Sequence, residues 1–499
     1  MRRIVKPFLI TCGIVCSLCL VFASRPRAAD APTSRSGSEP AANVQTASKL
    51  DSVHAATDFR YVGSASCAAA ACHGGDGSGQ SWQSSYSTWA QKDAHAGAFT
   101  VLYNAESRLM AKNLGLKVPA HQAKVCLACH ATVVDQSLLA EHHGFDPLDG
   151  VSCESCHGPA EKWFGPHVQA DWAGQTMAQK QALGYVNTEN LFRRAEMCVS
   201  CHVGAPGRDV NHDLIAAGHP RLNFEYSAFM ANMPPHWSRK HDTEANSPTL
   251  EAQVWAIGQV VSARAAIELL ENRSATQKPA WPEFSEYDCF ACHHNLSVES
   301  WRQARSFGDD GYRLGFGRFR QPAGSYSWGS WSLPLIPALT NELAGPMAVE
   351  QIVTAIEDLR QEMIRPYPRT DEVQKLTKPL KEQLGRLETV LGDKQMSADV
   401  IRKLLTHLAA DDGGQILTKR NWDAATQVYL AAVALHIGYH ESQGLPPAPT
   451  DGENGILGTL TEIRDALEFP RHYESPETFS GKRIETINER LSRLQKNLR

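Results

Sequence analysis

Basic clusters, phosphate-binding glycine loops and any cysteine beyond residue 292 are all missing from these 499 residues. A formal net charge of −5 with well-mixed signs, and no basic block, gives no surface for nucleic acid. Without a glycine-rich phosphate cradle there is no nucleotide site to propose. Beyond Phe8 to Phe22 no segment is apolar enough to span a bilayer, and that one run of 15 residues is too short for a comfortable span. Few strands are expected. Methionine is sparse, with Met110, Met177, Met197, Met230 and Met233 in the middle of the chain.

Cysteine is abundant where it does occur, and it is patterned. Cys67-Ala-Ala-Ala-Ala-Cys72-His73, Cys126-Leu-Ala-Cys129-His130, Cys153-Glu-Ser-Cys156-His157, Cys198-Val-Ser-Cys201-His202 and Cys289-Phe-Ala-Cys292-His293 each place a histidine directly after the second cysteine. With 20 histidines in the chain, one follows a given residue by chance about 4% of the time, so five in succession are not accidental. A C-x-x-C-H run is the attachment signature of a c-type haem, the cysteines bonding the vinyl groups and the histidine ligating the iron. The first run has a longer loop that can still reach both vinyls. Structural zinc and a disulfide framework compete for the same cysteines. Neither explains the five histidines, and no cysteine remains outside the motifs except Cys12, Cys16 and Cys19 in the N-terminal apolar segment. Five covalently bound c-type haems are therefore expected.

Arg2, Arg3 and Lys6 followed by the apolar run, with small residues at Val21-Phe22-Ala23 or Ala28-Ala29, read as a secretory signal. Periplasmic or other export is expected, because haem is normally attached outside the cytoplasm. An uncleaved signal or a partner complex would be the routes to a membrane. The organisation expected is a signal at 1–23, a disordered linker at 24–55, a pentahaem domain at 56–310, a linker at 311–343 and a helical bundle at 344–499. At about 45 residues per haem, the porphyrins must supply most of the buried apolar surface of the haem domain, wrapped by short helices and long loops. The fold class is thus mainly α.

In the tail, apolar residues three and four apart predict helices at 347–364, 371–391, 398–410, 422–441, 456–467 and 483–498. Pro379 should kink or split the second. Ser397 and either Asn421 or Asp423 suit N-caps. His436 and His440 lie four apart but have no third ligand nearby, and read as packing or surface residues. The tail reads as an independent bundle that contributes no iron ligand.

The second axial ligand of each iron sets its chemistry: histidine gives a low-potential carrier, methionine raises the potential, and an empty position admits substrate. Ten further histidines lie in or near the motif region, enough for bis-histidine ligation throughout.

The phrases Gly150 to Ala160, Asn211 to Leu222, Trp89 to His95 and Tyr287 to His294 resemble the cytochrome c-554 family over roughly residues 60 to 305. That resemblance implies a periplasmic multihaem carrier with a mostly helical, haem-dominated fold, related to hydroxylamine oxidoreductases and nitrite reductases. The lysine that replaces the motif histidine in nitrite reductases is absent. Carried over by position, the resemblance makes His95, His167, His212, His219 and His236 the distal candidates, with His142, His143 and His294 as substitutes. His95 is expected on a helix from Tyr86 to Tyr103. His212 and His219 could serve two different haems. His54, His121 and His241 read as ordinary polar residues. Trp163, Tyr287 and Phe290 read as haem packing, and Arg193, Arg194 and Arg221 suit either propionates or the surface.

The expected function is electron transfer, with redox proteins and the cytochrome maturation machinery as partners and no catalytic residue assigned. The competing readings are an oxidoreductase with one open haem acting on a small nitrogen or sulfur compound, and a docked subunit of a larger redox complex.

Overall fold

The computed structural model describes residues 59–76, 82–133, 135–237, 249–276, 280–289, 292–293, 326–393, 395–410, 413–414, 417, 421–445, 455–468 and 481–497. The expected signal, the linker at 24–55 and the first part of the linker at 311–343 lie outside them, as do His54, His241, Phe290, His294 and His472. Among the described residues the chain is mainly α. It contains no strand, only the isolated bridges Tyr61–Leu139, Ala205–Arg208 and Tyr287–Trp328.

The cysteine-bearing part consists of short helices separated by 3-10 turns and loops. They are α1 (Ser85–Lys92), α2 (Ala105–Asn113), α3 (Lys124–His130), α4 (Cys153–His157), α5 (Met177–Gln181), α6 (Leu191–His202), α7 (His212–Ala217) and α8 (Tyr226–Asn232). Three motifs form or end a helix: α3, α4 and α6 each close on the motif histidine. The helix expected from Tyr86 to Tyr103 stops at Lys92 instead. Asp93 is extended, and its carboxylate accepts from the His95 backbone N–H at 3.0 Å, starting a separate 3-10 turn at Ala94–Gly97. A short acidic side chain that caps its own downstream backbone competes with helix continuation.

The long helix α9 (Leu250–Thr276) was not expected within the 56–310 stretch. Its apolar and polar residues are spread round the circumference, so it carries no stripe, and both kinds are buried, Gln253, Gln259 and Arg273 among them. One side packs Trp255, Val260, Ile267 and Leu270 into the helical core, and the other packs Val254, Ile257 and Val261 against Val199, Phe224 and Tyr226 near the fourth motif.

The C-terminal helices are α10 (Ile336–Ala344), α11 (Pro346–Met363), α12 (Thr370–Asp393), α13 (Ala398–Ala409), α14 (Trp422–Ser442), α15 (Ile456–Leu467) and α16 (Gly481–Asn497). The six predicted tail helices match α11 to α16 to within a few residues at each end. Ser397 and Asn421 cap α13 and α14 by accepting from Val400 N and Ala424 N. The described part of the expected linker is no connector: Trp328, Trp331, Leu335, Ile336 and Leu339 are buried in the same core. The C-terminal helices therefore pack as one core with α9 rather than as a separate bundle. Gly438 sits where α14 crosses α9, and a Cβ there would lie 2.8 Å from the Ala252 methyl. Pro379 does not split α12, and it lies exposed on that helix.

Candidate functional site

Each of the five motif histidines faces one imidazole from elsewhere in the chain. His73 faces His167 with ring centroids 6.3 Å apart, and His130 faces His219 at 6.4 Å. His157 faces His236 at 6.5 Å, His202 faces His95 at 6.0 Å, and His293 faces His212 at 6.4 Å. A metal–imidazole bond is about 2 Å and a ring nitrogen lies about 1.1 Å from its centroid, so two rings on opposite sides of one metal stand roughly 6.3 Å apart. All five separations meet that value.

Hydrogen bonds fix which nitrogen faces inward. The Nδ1 atoms of His73, His130, His167 and His219 lie 2.8, 2.8, 2.5 and 2.8 Å from the carbonyl oxygens of Trp82, Ala98, Phe164 and Pro220. A carbonyl only accepts, so Nδ1 carries the proton and the lone pair is on Nε2, the state of an imidazole ligand. His95 Nδ1 instead meets the Asp93 carboxylate at 2.9 Å, a partner that raises ligand basicity. Burial pushes His157 and His202 down to about 4, which keeps both rings neutral.

The ten rings line one continuous cavity of about 3290 Å³, together with nine of the ten motif cysteines. An ordinary ligand pocket encloses roughly 300–1,000 Å³, so this space, divided among five histidine pairs, gives each the volume of a large ligand. Its walls are largely apolar and aromatic. Phe224 and Phe229 pack on His202 at 5.3 and 5.1 Å, Phe284 on His212 at 5.8 Å, and Trp163 on His167 at 5.5 Å. Trp163 is buried, and its Nε1–H meets no acceptor among the described residues. Paired thiols beside a histidine, an opposed second imidazole and an apolar slot fit haem. All ten cysteines are free, and among the described residues no three of His, Cys, Asp or Glu converge as a structural zinc site would require.

The sites follow a spatial order that differs from their order in sequence. Cys67 of the first motif neighbours Cys153 of the third. Cys156 of the third interacts with Cys198 and Cys201 of the fourth, and Cys201 neighbours Cys129 of the second. α7 joins the second to the fifth: His212 at its start faces His293, and His219 just beyond its end faces His130. Gly218, at φ 121°, breaks the helix between them.

The other candidates lie elsewhere. His142 and His143 are exposed, and His143 accepts from Phe145 N. His121 stacks on Tyr103 at 4.2 Å. His436 is buried against His440 with centroids 4.3 Å apart. Arg193 pairs with Glu196 at 2.6 Å, and Arg194 donates to Thr188 O and lies over the Trp237 ring. Tyr287 lines the cavity while its hydroxyl donates to Met363 O of α11 at 2.9 Å.

Sequence reasoning assigned no role to Glu154, inside the third motif. Its buried carboxylate accepts from Val62 N, Gly63 N and Ala160 N at 3.0, 2.7 and 2.7 Å, tying the approach to the first motif onto the third. An acidic residue between the two cysteines of a motif was the signal available.

The family model for cytochrome c554 and c-prime matches residues 66–158, which include the first three motifs. No curated protein and no solved structure matches the chain significantly. Over that stretch the chain is similar to cytochrome c554, a c-type cytochrome.

Proposed function

We propose that the protein is a periplasmic electron carrier with five covalently attached haems, each held between two histidines. The observation that carries this reading is the set of five opposed imidazole pairs at 6.0 to 6.5 Å, one for every motif. In it, His73, His130, His157, His202 and His293 are the proximal ligands, and His167, His219, His236, His95 and His212 respectively the distal ones. Haem supplies reversible one-electron chemistry at low potential when two histidines ligate it.

The chain's own contribution is order and exclusion. Its neighbouring cysteines set the first, third, fourth and second sites in that order, and α7 adds the fifth beside the second. The first and fifth thereby become the ends open to redox partners. Carbonyl and carboxylate acceptors on Nδ1 fix ring orientation, and the aromatic walls exclude water. An enzyme of small nitrogen or sulfur compounds would need an iron with an empty side, whereas every motif histidine here has an imidazole opposite. Export is supported by the basic and apolar N-terminal segment, and no helix among the described residues is long and apolar enough to cross a membrane. In domain terms, the haem-bearing part would run from about 56 to 237 and again around the fifth motif, with α9 shared between it and the C-terminal helices.

Intact-mass measurement of the mature protein, made with a cytochrome maturation system, tests the count. Five haem masses that survive denaturation are expected. Four would mean that the wide Cys67–Cys72 loop is not used, and bound zinc in place of haem would overturn the reading.

A further inference from the structure

The C-terminal helices form part of the cavity wall. Trp422, Leu467 and Glu468 line it, with Trp422 fixed by Nε1 donation to Leu467 O at 3.1 Å. Beside Trp422, Asp423 is fully buried in the first turn of α14, where the helix N-terminus favours a negative charge. Both of its oxygens accept from Arg221 Nη1 at 2.9 Å, and Oδ2 also accepts from Ser330 Oγ at 2.5 Å. Arg221 reaches it from a distant segment of the chain, two residues after His219, and its guanidinium is close enough to Cys289 to act on that thiol. One nitrogen serves both contacts with Asp423. Among the described residues no acceptor meets Nε or Nη2, although Arg221 lines the cavity. A buried ion pair carries a desolvation cost of several kcal/mol per ion, so it is weak evidence for stability by itself.

We propose that Asp423 and Arg221 are positioning residues through which the C-terminal helices set the reduction potential of the fifth site, Arg221 turning its remaining N–H groups toward a propionate of the haem at Cys289 and Cys292. The proposal rests on the reading of that motif as a haem site. A fixed cation beside a haem favours the reduced form and raises its potential, while a fixed anion lowers it; local charge and hydrogen bonding are recognised levers on such potentials. The two members of the pair therefore pull in opposite directions on one site. A merely structural pair would not separate in sign.

The test is a potentiometric titration of the full-length, haem-loaded protein and its variants. The fifth-site potential is identified as the one raised in His212→Met. Asp423→Asn should raise that potential, Arg221→Gln should lower it, Arg221→Lys should stay near the parent value, and the other four should not move. No shift in either charge-removing variant, shifts of the same sign, or displacement of all five potentials together would overturn the proposal. If Asp423→Asn does not accumulate, the two Arg221 variants decide by the same criteria. Failure of the underlying haem reading shows separately, as a missing haem mass on the peptide containing Cys289 and Cys292 in the unmodified protein.

Discussion

The imidazoles of His73 and His167 are nearly parallel, 12° apart, whereas those of His130 and His219 cross at 84°. The other three pairs divide the same way: His212 and His293 meet at 25°, while His95 with His202 and His157 with His236 cross at 81° and 77°. Parallel ligand planes split the two iron d orbitals that bond with them; crossed planes leave those orbitals nearly degenerate and the orbital moment unquenched. Low-temperature EPR of the oxidised protein should therefore show two rhombic low-spin haems and three strongly anisotropic ones. Five rhombic signals would contradict these ring orientations.

Replacing a distal ligand should change potential and leave attachment intact, because attachment depends on cysteine. In His219→Met one of five potentials should rise, since methionine ligation raises haem potentials. Intact mass should still report every haem. Loss of a haem mass in this variant would place His219 in attachment or folding rather than in axial ligation.

Because α9 is shared by two cores, its packing should stabilise both. Leu270 is fully buried on the side facing the C-terminal helices. Leu270→Ala should cost about 2–5 kcal/mol, the usual range for a buried leucine. Denaturation followed by far-ultraviolet circular dichroism and by the haem Soret band should lose stability in step. A Soret transition that stays put while the helical transition moves would show two independent units. By the same reasoning, truncation before α11 should not leave the haem spectrum unchanged, because it would strip the apolar side of α9.

Glu154 holds the segment leading to the first motif by three backbone N–H groups. Glu154→Gln turns one acceptor oxygen into a donor amide facing an N–H, which should destabilise the protein by about 1–3 kcal/mol, the cost of leaving a buried donor unpaired. A denaturant midpoint equal to that of the parent protein would show that these contacts contribute nothing to stability.

The motifs were legible because covalent attachment requires particular residues at particular spacing, and the tail helices because an amphipathic stripe is periodic. The same stripe is missing from α9, buried on all sides, and so the helix that joins the two parts was invisible to periodicity. His95, His167, His212, His219 and His236 could be singled out by their phrases. Which motif histidine each would face could not, because each pair is joined by long-range folding that local spacing does not encode. Asp423 illustrates a different loss. In sequence it looked like one of two N-caps for α14; Asn421 caps the helix, and Asp423 pairs with Arg221 instead. Arg221, in turn, read only as a residue for propionates or the surface, because an ion pair between distant segments leaves no local pattern.

Carbon monoxide binding to the fully reduced protein tests the five-pair assignment most directly. Carbon monoxide needs an open position on ferrous haem, and an imidazole on each side of every iron leaves none. The Soret band of the reduced protein should be unchanged under carbon monoxide at neutral pH. A rapid, stoichiometric shift corresponding to one haem would show an iron open to small molecules and would contradict the carrier reading.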